Sequence, residues 1–546
     1  MVETIESCAL VGIEPYPVLC EVDLAAQLPS VSLVGLPSSM TQESRDRIRA
    51  AVTNSEFEWP ARKVTINLLP ASLPKWGSHY ELAMALGVLR ASARGMRIPS
   101  SVPDAPANEV ATSRHASVFA IGELSLSGQV RPCGWLPSIA AWLHRHALES
   151  WTKTGVKMAL VAHPNDIRAL EGAMPCLRET AECVAADSLS AAMRALRAIE
   201  ERNPASDSSV LPVRIPGPAV AKKDPLALLK RVEGEPLGVV TALVAAAGGY
   251  HALFAGPQGR GKSMLVRATC EASKPATGPE KSARTAVLGL FGENYLTESG
   301  DPRPVIRLQS SVTRAALEGT MLSTGQIVPG ELTRAHLGVL VADEFLELRR
   351  DVIEAFRQPI EEQAVRLSRA KIRAVLPAKF QLLASTNLCA CGYFGLTRRD
   401  CRCSRTFRQD YRRKLSGPIL DRFDLIALIG HDHPPDLPPG LTPMIGALTD
   451  PSKWIERLER VWGANPTAEN SPPLVAPAGV FPPECSPRAR EKLVRVASTL
   501  ADLLDEPAEK RHLELALCLR QDLDRVFRDA EERENWSYSV LKYSQQ

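Results

Sequence analysis

A glycine-rich stretch in the middle of the chain has the residue types and spacing of a phosphate-binding loop. It lies between an apolar run at residues 251–255 and a helical pattern at 264–268. Its residues are Gly256, Pro257, Gln258, Gly259, Arg260, Gly261, Lys262 and Ser263. Glycines let successive backbone N–H groups point at a polyphosphate, which the positive N-terminus of the following helix also attracts. Lys262 would contact the β- and γ-phosphates of ATP, and the Ser263 hydroxyl would help to hold Mg²⁺. The alternative is an ordinary glycine-rich turn between a strand and a helix.

Two adjacent carboxylates follow a second apolar run, residues 338–342, which predicts a buried strand. Asp343 and Glu344 would then lie at the carboxyl end of that strand, the edge where parallel α/β sheets bind ligands. Asp343 would hold Mg²⁺ through water, and Glu344 would orient and deprotonate the attacking water. By themselves, acids after a strand are common at helix N-termini because the helix dipole favours them. Together with Lys262, they predict ATP hydrolysis rather than binding alone.

A third apolar run, residues 380–385, predicts another buried strand, which ends in Thr386 and Asn387. If this strand ends at the same edge of the sheet, the Asn387 amide can hydrogen-bond the γ-phosphate or the attacking water. Turns at strand ends also favour asparagine, so the prediction depends on the residues around it.

The bulk composition is typical of a soluble globular protein. The 546 residues are 45% hydrophobic and 23% charged, and the net charge of +3 does not by itself indicate a nucleic-acid partner. No apolar run approaches the ~20 residues needed to span a membrane, and the first residues lack the basic start of a secretion signal. Because twelve cysteines accompany a nucleotide site, we expect a reducing cytoplasm rather than a disulfide framework.

Composition and periodicity divide the chain into segments. Runs at 16–22, 31–35 and 63–68 predict strands and a run at 42–52 predicts a helix, so the first segment should be a mixed α/β domain. Turn-forming residues after it predict a linker, and apolar residues at helical spacing predict paired helices near the C-terminus. The predicted segments are the α/β domain 1–202, the linker 203–230, the α/β ATPase core 231–430, a Pro-rich connector 431–482 and a helical lid 483–546.

Longer motifs carry a family resemblance. They include VGLP at 34–37 and IGELSLSG at 121–128, and then RQPIE at 357–361, PAKFQL at 377–382 and LSGPILDRFD at 415–424. These motifs resemble the ComM/YifB family of magnesium-chelatase-like AAA+ ATPases. The resemblance implies an AAA+ P-loop NTPase core, an N-terminal Lon-protease-like α/β domain and a C-terminal helical lid.

The Lon-like resemblance does not extend to the protease residues. A protease of that type needs a serine nucleophile and a lysine base within reach of each other. When the segments are aligned, His79 stands at the serine position and Pro137 at the lysine position. Lys75 and Ser78 remain nearby, but we expect a domain that is catalytically dead as a protease and serves as a scaffold or partner platform.

The resemblance also assigns roles to three residues of the ATPase. Asn387 matches the position called sensor 1. Arg422 matches an arginine finger, which would neutralise charge on the phosphoryl oxygens of ATP bound to a neighbouring subunit. The alternative for Arg422 is a salt bridge with Asp421 or Asp424. Arg488, in a Ser-Pro-Arg motif, resembles sensor 2 and would reach the nucleotide.

A strongly basic stretch includes the third apolar run and the residues on both sides of it. Between residues 364 and 414 the chain has thirteen lysines and arginines against two acids. The resemblance implies that residues 366–373 form a β-hairpin facing the pore of a ring, where basic side chains could contact DNA phosphates. The alternatives are a solvated loop face or a contact between subunits. The candidate DNA-binding residues are Arg366, Arg369, Lys371 and Arg373.

Four of the twelve cysteines cluster in the sequence. Their thiolates could hold Zn²⁺ tetrahedrally and fix the loop between them, although the C-x-C spacing is tighter than in the usual zinc knuckle. The alternatives are redox-sensitive thiols or simply reduced ones. The four residues are Cys389, Cys391, Cys401 and Cys403.

The chemistry-bearing residues together predict an ATP- and Mg²⁺-dependent hydrolase. The resemblance implies a cytoplasmic homo-oligomer, a hexameric ring, that acts on DNA as a helicase or branch-migration motor in homologous recombination or natural transformation. An alternative is a protein-remodelling motor that works through a protein partner, as the ATPase subunit of magnesium chelatase does. A third is a nucleotide-dependent scaffold, which would keep its function without hydrolysis.

Overall fold

The structure is a computed structural model of the chain. It describes residues 2–521 except 12–13, 36–38, 72, 74, 76, 96–116, 202–225, 290–302, 323–326, 370–371, 396–399, 431–437, 439, 464–480 and 482–484. No helix in this part of the chain has the length and apolar character that crossing a membrane requires.

The N-terminal domain is built on one mixed sheet with the order β3-β4-β2-β1-β5-β8-β9. The pairs β1/β2 and β2/β4 are antiparallel, and the other neighbours are parallel. The strands are β1 (Glu3–Val11), β2 (Glu14–Ala25), β3 (Ser30–Val34), β4 (Lys63–Leu69), β5 (Val118–Ala120), β8 (Met158–Ala162) and β9 (Ala181–Ala185), and a hairpin adds β6 (Glu123–Leu124) and β7 (Val130–Arg131). The helices are α1 (Ser39–Asn54), α2 (Glu81–Gly95), α3 (Ala140–Thr154), α4 (Pro164–Ala173), α5 (Leu177–Thr180) and α6 (Leu189–Glu201).

Two features of the sequence explain how the sheet and helices of this domain pack: alternating burial along the strands and a small residue on a helix. In β4 the side chains of Val64, Ile66 and Leu68 are buried and the residues between them only half-buried, because successive side chains point to opposite faces. Helix α2 approaches the sheet so closely that a Cβ on Gly87 would lie 2.7 Å from a methyl group of Val22. The predicted mixed α/β domain is confirmed, as are the three strands and the helix α1, with ends shifted by a few residues.

The C-terminal part is organised by a parallel sheet with the order β11-β14-β17-β10-β18. Its strands are β10 (Ala252–Ala255), β11 (Val305–Arg307), β14 (Val339–Ala342), β17 (Gln381–Thr386) and β18 (Leu425–Leu428), and two hairpins add β12 (Gly319–Met321), β13 (Ile327–Pro329), β15 (Ala364–Arg369) and β16 (Ile372–Pro377). Its helices are α7 (Pro236–Gly248), α8 (Lys262–Glu271), α9 (Gly278–Gly289), α10 (Arg314–Glu318), α11 (Glu331–Arg334), α12 (Arg350–Ala355), α13 (Arg357–Glu362), α14 (Arg405–Arg412) and α15 (Gly417–Leu420). The three strands predicted from apolar runs are confirmed as β10, β14 and β17.

Helices cover both faces of this sheet, so its strands are apolar throughout. Alternate residues of β10 enter different cores: Ala252 and Phe254 pack with α7 and α8, whereas Leu253 and Ala255 pack with the region around α12. The sequence of a strand buried on both faces is a continuous apolar run, without the alternation of a strand that has one exposed face. This pattern is why the sequence predicted these strands well.

Two helices follow near the C-terminus, as predicted. They are α18 (Pro487–Leu504) and α19 (Lys510–Cys518). Leu493, Val496 and Leu500 of α18 are buried in the core that α7 shares with the parallel sheet. The helical region is therefore part of the same folded unit as β10.

The prediction of a Pro-rich connector at 431–482 needs correction. Its described part contains the helices α16 (Thr442–Leu448) and α17 (Trp454–Gly463), whose apolar side chains lie in the core with α7 and α18. Ile445, Trp454 and Leu458 are each at most 5% exposed. The prolines dominated the composition, but the apolar residues between them have helical spacing and form a buried stripe.

The predicted linker at 203–230 is also shorter in the structure. Residues 203–225 lie outside the described part of the chain. Leu226 and Leu229 are buried in the core that contains α7. Residues 226–230 therefore belong to the folded C-terminal part rather than to a linker.

Candidate nucleotide-binding site

The glycine-rich loop joins β10 to α8, as the sequence predicted. Gly259 and Gly261 have φ values of +80° and +81°, which side-chain-bearing residues rarely adopt. Gly256 is needed for a different reason, since a Cβ there would lie 2.1 Å from the carbonyl oxygen of Ile429. The glycines let the loop turn tightly and let the strand end pack against the segment after β18.

Lys262 is the first residue of α8 and is only 8% exposed. Its Nζ donates to the carbonyl oxygens of Gly256 (2.9 Å) and Pro257 (2.5 Å) and to Oδ1 of Asn387 (3.1 Å). Burial lowers the pKa of Lys262 to about 8, although the charge of Glu344 acts in the opposite direction. The lysine thus lies inside its own loop and beside the end of β17, where its ammonium can exchange carbonyl oxygens for phosphate oxygens.

The two carboxylates lie at the same edge of the sheet. Ser385 Oγ donates to Oδ1 of Asp343 (3.1 Å), and Arg307 lies 3.7 Å from its other oxygen. The backbone N–H of Glu344 donates to Ser385 Oγ at 3.4 Å. Glu344 has a φ of +55° and is exposed, so its carboxylate stands clear of the strand end.

Strand register explains why these groups meet. Ala342 pairs with Ala384 and Ala255 pairs with Thr386, so β14, β17 and β10 end side by side. The N–H of Gly256 continues this ladder by donating to Thr386 O at 3.2 Å. Ser263 is exposed one residue into α8, where a hydroxyl can reach a metal ion bound to phosphate.

Two further contacts fix the glycine-rich loop from outside. The N–H of Gln258 donates to the carbonyl oxygen of Gly392 at 2.8 Å. The side chain of Arg260 packs on Gly430, whose N–H donates to Oε1 of Glu235 at 2.7 Å. Burial raises the pKa of Glu235, and its hydrogen bond to Gly430 and the nearby charge of Arg260 oppose that shift. The loop is therefore anchored on both sides.

The four clustered cysteines meet in space beside this loop. Their sulfur atoms lie within 4.8 Å of one another, with separations of 3.3 Å for Cys389 and Cys391 and 3.5 Å for Cys391 and Cys401. Burial raises the pKa of Cys391, but the backbone N–H of Tyr393 and further hydrogen bonds outweigh it and lower that pKa to about 6. The fourth sulfur belongs to Cys403. A tetrahedral site with Zn–S distances of about 2.3 Å has sulfurs at about this spacing, so the four thiolates fit Zn²⁺.

Arg422 and Arg488 lie near the N-terminal ends of the parallel strands. The glycine-rich loop lies at the opposite, carboxyl ends. Arg422 Nη2 is 2.9 Å from Oε2 of Glu361, and Arg488 Nη1 donates to Oε1 of the same carboxylate. Both arginines line a cavity of about 960 Å³, and His251, just before β10, also lines it. The structure therefore does not bring Arg488 to the glycine-rich loop of its own chain. The reason is that α18 docks against the N-terminal ends of the strands.

The predicted hairpin is formed by β15 and β16. Ser368 pairs with Arg373 and Arg366 pairs with Val375, so both arginines lie on the exposed face, while Val365 packs into the core on the other. Nε of Arg366 donates to Glu362 at 2.7 Å. Of the other candidates, Arg369 is described only as a strand residue opposite Ile372, and Lys371 lies outside the described residues.

The N-terminal domain shows no protease arrangement at the aligned positions. His79 is half-buried, with Nε2 3.0 Å from the carbonyl oxygen of Cys8, and Pro137 lies in a buried 3-10 turn. Lys75 is 1% exposed, and its ammonium donates to the carbonyl oxygens of Gly35 and Leu68 at 3.0 and 2.9 Å and to that of Pro70. Its charge is used inside the fold rather than to activate a nucleophile.

Several contributors to the site were missed at the sequence level. Ser385 orients Asp343, and Glu361 holds two arginines at once. Ser385 could have been found because it is a polar residue inside an apolar strand. For Glu361 there was no local signal, because its partners are 61 and 127 residues away in sequence.

Comparisons with known protein families match segments in both parts of the chain. Residues 228–435 match the profile described as magnesium chelatase, subunit ChlI, which spans the glycine-rich loop, both carboxylates and the cysteine cluster. Residues 20–151 match a second profile, described as subunit ChlI of Mg-chelatase, within the N-terminal domain.

Similar proteins span most of the chain. A protein named YifB from Escherichia coli is 30% identical over 95% of this chain and 96% of its own length. YifB from Salmonella typhimurium is 33% identical over 79% of this chain and 76% of its own. A protein named competence protein ComM, from Haemophilus influenzae, is 31% identical over 77% of this chain and 74% of its own.

Proposed function

Because the chain belongs to the ComM/YifB family of magnesium-chelatase-like proteins, we propose that it is an AAA+ ATPase working as a ring-shaped motor on DNA. The observation that best supports ATPase activity is the contact of Lys262 with Asn387. Asp343 and Glu344 lie at the same ends of the strands. These are the groups that phosphoryl transfer to water requires in one place.

Each residue of the edge has a distinct task in this proposal. The N–H groups of the loop and Lys262 bind the phosphates of ATP, and Ser263 and Asp343 hold Mg²⁺. Glu344 orients the attacking water and accepts its proton, and Asn387 hydrogen-bonds the γ-phosphate or the water. Bound Mg²⁺ supplies neutralisation of the developing charge.

Arg422 and Arg488 complete the site of a neighbouring copy in this proposal. Their separation from the loop of their own chain and their shared partner Glu361 support a joint action on ATP held by another subunit. The nucleotide that Arg488 is expected to reach would then be bound by a neighbouring copy. A closed ring, for which we propose six subunits, gives every loop such a neighbour.

DNA is the proposed substrate because the exposed face of the β15–β16 hairpin carries Arg366 and Arg373 in a segment with few acids. Basic side chains on an exposed hairpin can follow a phosphate backbone without reading sequence. The name of the Haemophilus relative, competence protein, fits a motor for helicase or branch-migration work during uptake and recombination of DNA.

The test is ATP hydrolysis by the purified full chain with and without forked or four-way DNA. We expect hydrolysis that DNA stimulates and that Glu344→Gln lowers by at least about 100-fold, because the water loses its base. Turnover that ignores DNA would overturn the DNA motor and favour a protein partner for the N-terminal domain. Full biological function of Glu344→Gln would instead establish a scaffold.

A salt titration separates the contribution of the hairpin to DNA binding from that of other surface charges. We expect Arg373→Ala to reduce the slope of log K for DNA binding against log salt by about 1, as for one lost phosphate contact. Arg349→Ala is the matched control, because Arg349 is 67% exposed, pairs with Asp351 and lies outside the basic segment. Equal slopes for the two variants would remove the hairpin from the DNA site.

We also propose that the cysteine cluster binds one structural Zn²⁺. The thiolates would hold the loop that accepts the N–H of Gln258, so the metal would support the phosphate-binding loop. We expect one zinc per chain in metal analysis and its loss in Cys401→Ser. Cys270→Ser, outside the cluster, should keep the metal; zinc-free protein with full thermal stability would contradict the proposal.

A further inference from the structure

The loop that carries Arg422 is held by a lysine from α18. Nζ of Lys492 donates to the carbonyl oxygens of Asp421 (2.9 Å) and Arg422 (2.6 Å) and lies 3.3 Å from Oδ1 of Asp424. The side chain of Lys492 is 15% exposed. One ammonium therefore binds three oxygens of a single four-residue segment, two of them on the main chain.

The same segment is tied to the strand that leads into the phosphate-binding loop. Oδ2 of Asp424 accepts the N–H of His251 at 2.9 Å, and the N–H of Asp424 donates back to His251 O at 2.9 Å. Asp424 is 5% exposed, so this link is enclosed. Lys492 thus closes a connection that runs from α18 through the 421–424 segment to β10.

Lys492 also shares a helix face with Arg488. The two residues are four positions apart on α18, so their side chains leave the same side of the helix. Arg488 contacts Glu361, which also holds Arg422. Residues on one face of α18 therefore fix Arg422 twice, through the main chain by Lys492 and through the shared carboxylate by Arg488.

We propose that Lys492 is a positioning residue for Arg422, fixing the 421–424 segment so that the guanidinium meets ATP held by another copy of the chain. This inference rests on the proposed sharing of the active site between subunits. Lys492 lies at the end of the sheet opposite the glycine-rich loop of its own chain, and its effect passes through the carbonyl oxygens that it binds. Movement of α18 in one subunit then changes catalysis in the next.

The test mixes variants in one assembly. Lys262→Ala has a defective phosphate-binding loop but an intact Arg422, whereas Arg422→Ala has the reverse. Each should be inactive alone, and an equimolar mixture should regain about a quarter of wild-type ATPase, because one junction in four then combines two intact halves. If this mixture stays inactive, the sharing of the site is overturned, and the inference with it.

Lys492→Met is then tested in both mixtures. Alone it should lose at least about tenfold in kcat with the KM for ATP within about twofold, because its own loop is intact. Mixed with Lys262→Ala it should regain activity, and mixed with Arg422→Ala it should not. Recovery with neither partner, while the Lys262→Ala and Arg422→Ala mixture recovers, would show a general defect and overturn the positioning role.

Two further variants separate positioning from folding. Lys492→Arg keeps a cationic donor and should recover part of the ATPase lost in Lys492→Met, whereas a purely steric role would make the larger side chain equally harmful. Lys510→Met is the matched control, since Lys510 lies on α19, is 61% exposed and pairs only with Glu514 among the contacts described for it. It should keep wild-type activity; a loss equal to that of Lys492→Met would overturn the proposal.

Discussion

In the proposed function, the protonation state of Lys262 should control how strongly the glycine-rich loop attracts the phosphates of ATP. Burial lowers its pKa to about 8 in the absence of nucleotide, so the free protein loses this charge just above neutral pH. We expect the affinity for ATP to fall by up to tenfold per pH unit above about pH 8, because the neutral amine no longer attracts phosphate. Nucleotide binding by Glu344→Gln, which cannot complete hydrolysis, measures this without interference from turnover.

The same shift has a consequence for stability. Because the unfolded lysine titrates near 10.5 and the folded one near 8, the unfolded state binds more protons between these values. The free energy of unfolding should therefore gain a favourable contribution from this group as the pH rises from about 8 to about 10.5. Lys262→Met should lack that contribution to the free energy of unfolding. For the binding prediction, an ATP affinity that stays constant from pH 7 to 10 would contradict the placement of Lys262.

How far single residues could be predicted depended on where their partners lie. Lys262, Asp343 and Asn387 were predicted to lie together, because parallel strands end at one edge and each residue is next to an apolar run. For Lys492 and Glu361 no role was predicted, since their contacts depend on how a distant helix docks. Arg488 was recognised as a motif, but its motif does not encode which edge of the sheet α18 meets.

At the scale of elements, the junction of β10 with the loop should tolerate no side chain at Gly256. A Cβ there would lie 2.1 Å from Ile429 O, so Gly256→Ala must displace backbone. We expect a loss of nucleotide binding and a stability loss of several kcal/mol. Gly259→Ala is the comparison, because no atom within 4 Å meets its Cβ and only its φ of +80° is unfavourable, which costs about 1 kcal/mol. Equal melting temperatures for the two variants, measured by calorimetry, would be inconsistent with this packing.

Half-buried neutral histidines hydrogen-bond the backbone at the ends of strands and should make the fold sensitive to acid. His251 accepts the N–H of Leu382 at 2.9 Å, and His336 accepts the N–H of Lys379 at 3.1 Å. Burial lowers the pKa of His251, and it lowers that of His336 to about 4. Since the unfolded state binds more protons below about pH 6.5, the free energy of unfolding should fall as the pH falls toward 4, by about 1.4 kcal/mol per pH unit and group at most.

A variant isolates one histidine from this effect. His336→Ala should be less stable at pH 7, because the N–H of Lys379 loses its acceptor, and should show a shallower decline between pH 6.5 and 4. Denaturant unfolding at a series of pH values measures both quantities. An unchanged slope would show that His336 does not titrate in this range.

Elements were predicted best where apolar side chains pack against them on both faces. The continuous apolar runs of β10, β14 and β17 identified strands buried on both faces. The segment from Thr442 to Gly463 was misjudged because prolines around it outweighed two short helices whose apolar stripes become visible only against α7. A stripe of a few residues has meaning only once its partner is known.

At the scale of the whole molecule, ATP hydrolysis should require assembly although ATP binding does not. The groups proposed to bind phosphate belong to one chain, whereas Arg422 lies at the far edge of the sheet. We therefore expect dilution to abolish hydrolysis per chain while nucleotide binding persists. Sedimentation, turnover and binding measured on one dilution series test this, and turnover that is independent of concentration in a monomeric sample would contradict it.

The placement of the two half-sites on opposite edges of one sheet also limits the symmetry of any assembly. A two-fold axis at one edge of the sheet pairs that edge with itself, so two copies that meet through a single edge would bring loop to loop or arginine to arginine and complete neither site. Where the loop edge of one copy meets the arginine edge of the next, the contacts are head-to-tail, and such contacts either close by rotation or continue as a helical filament. In an open arc the chain at one end would keep an unpaired phosphate-binding loop, and closure alone would make all the sites of the assembly equivalent.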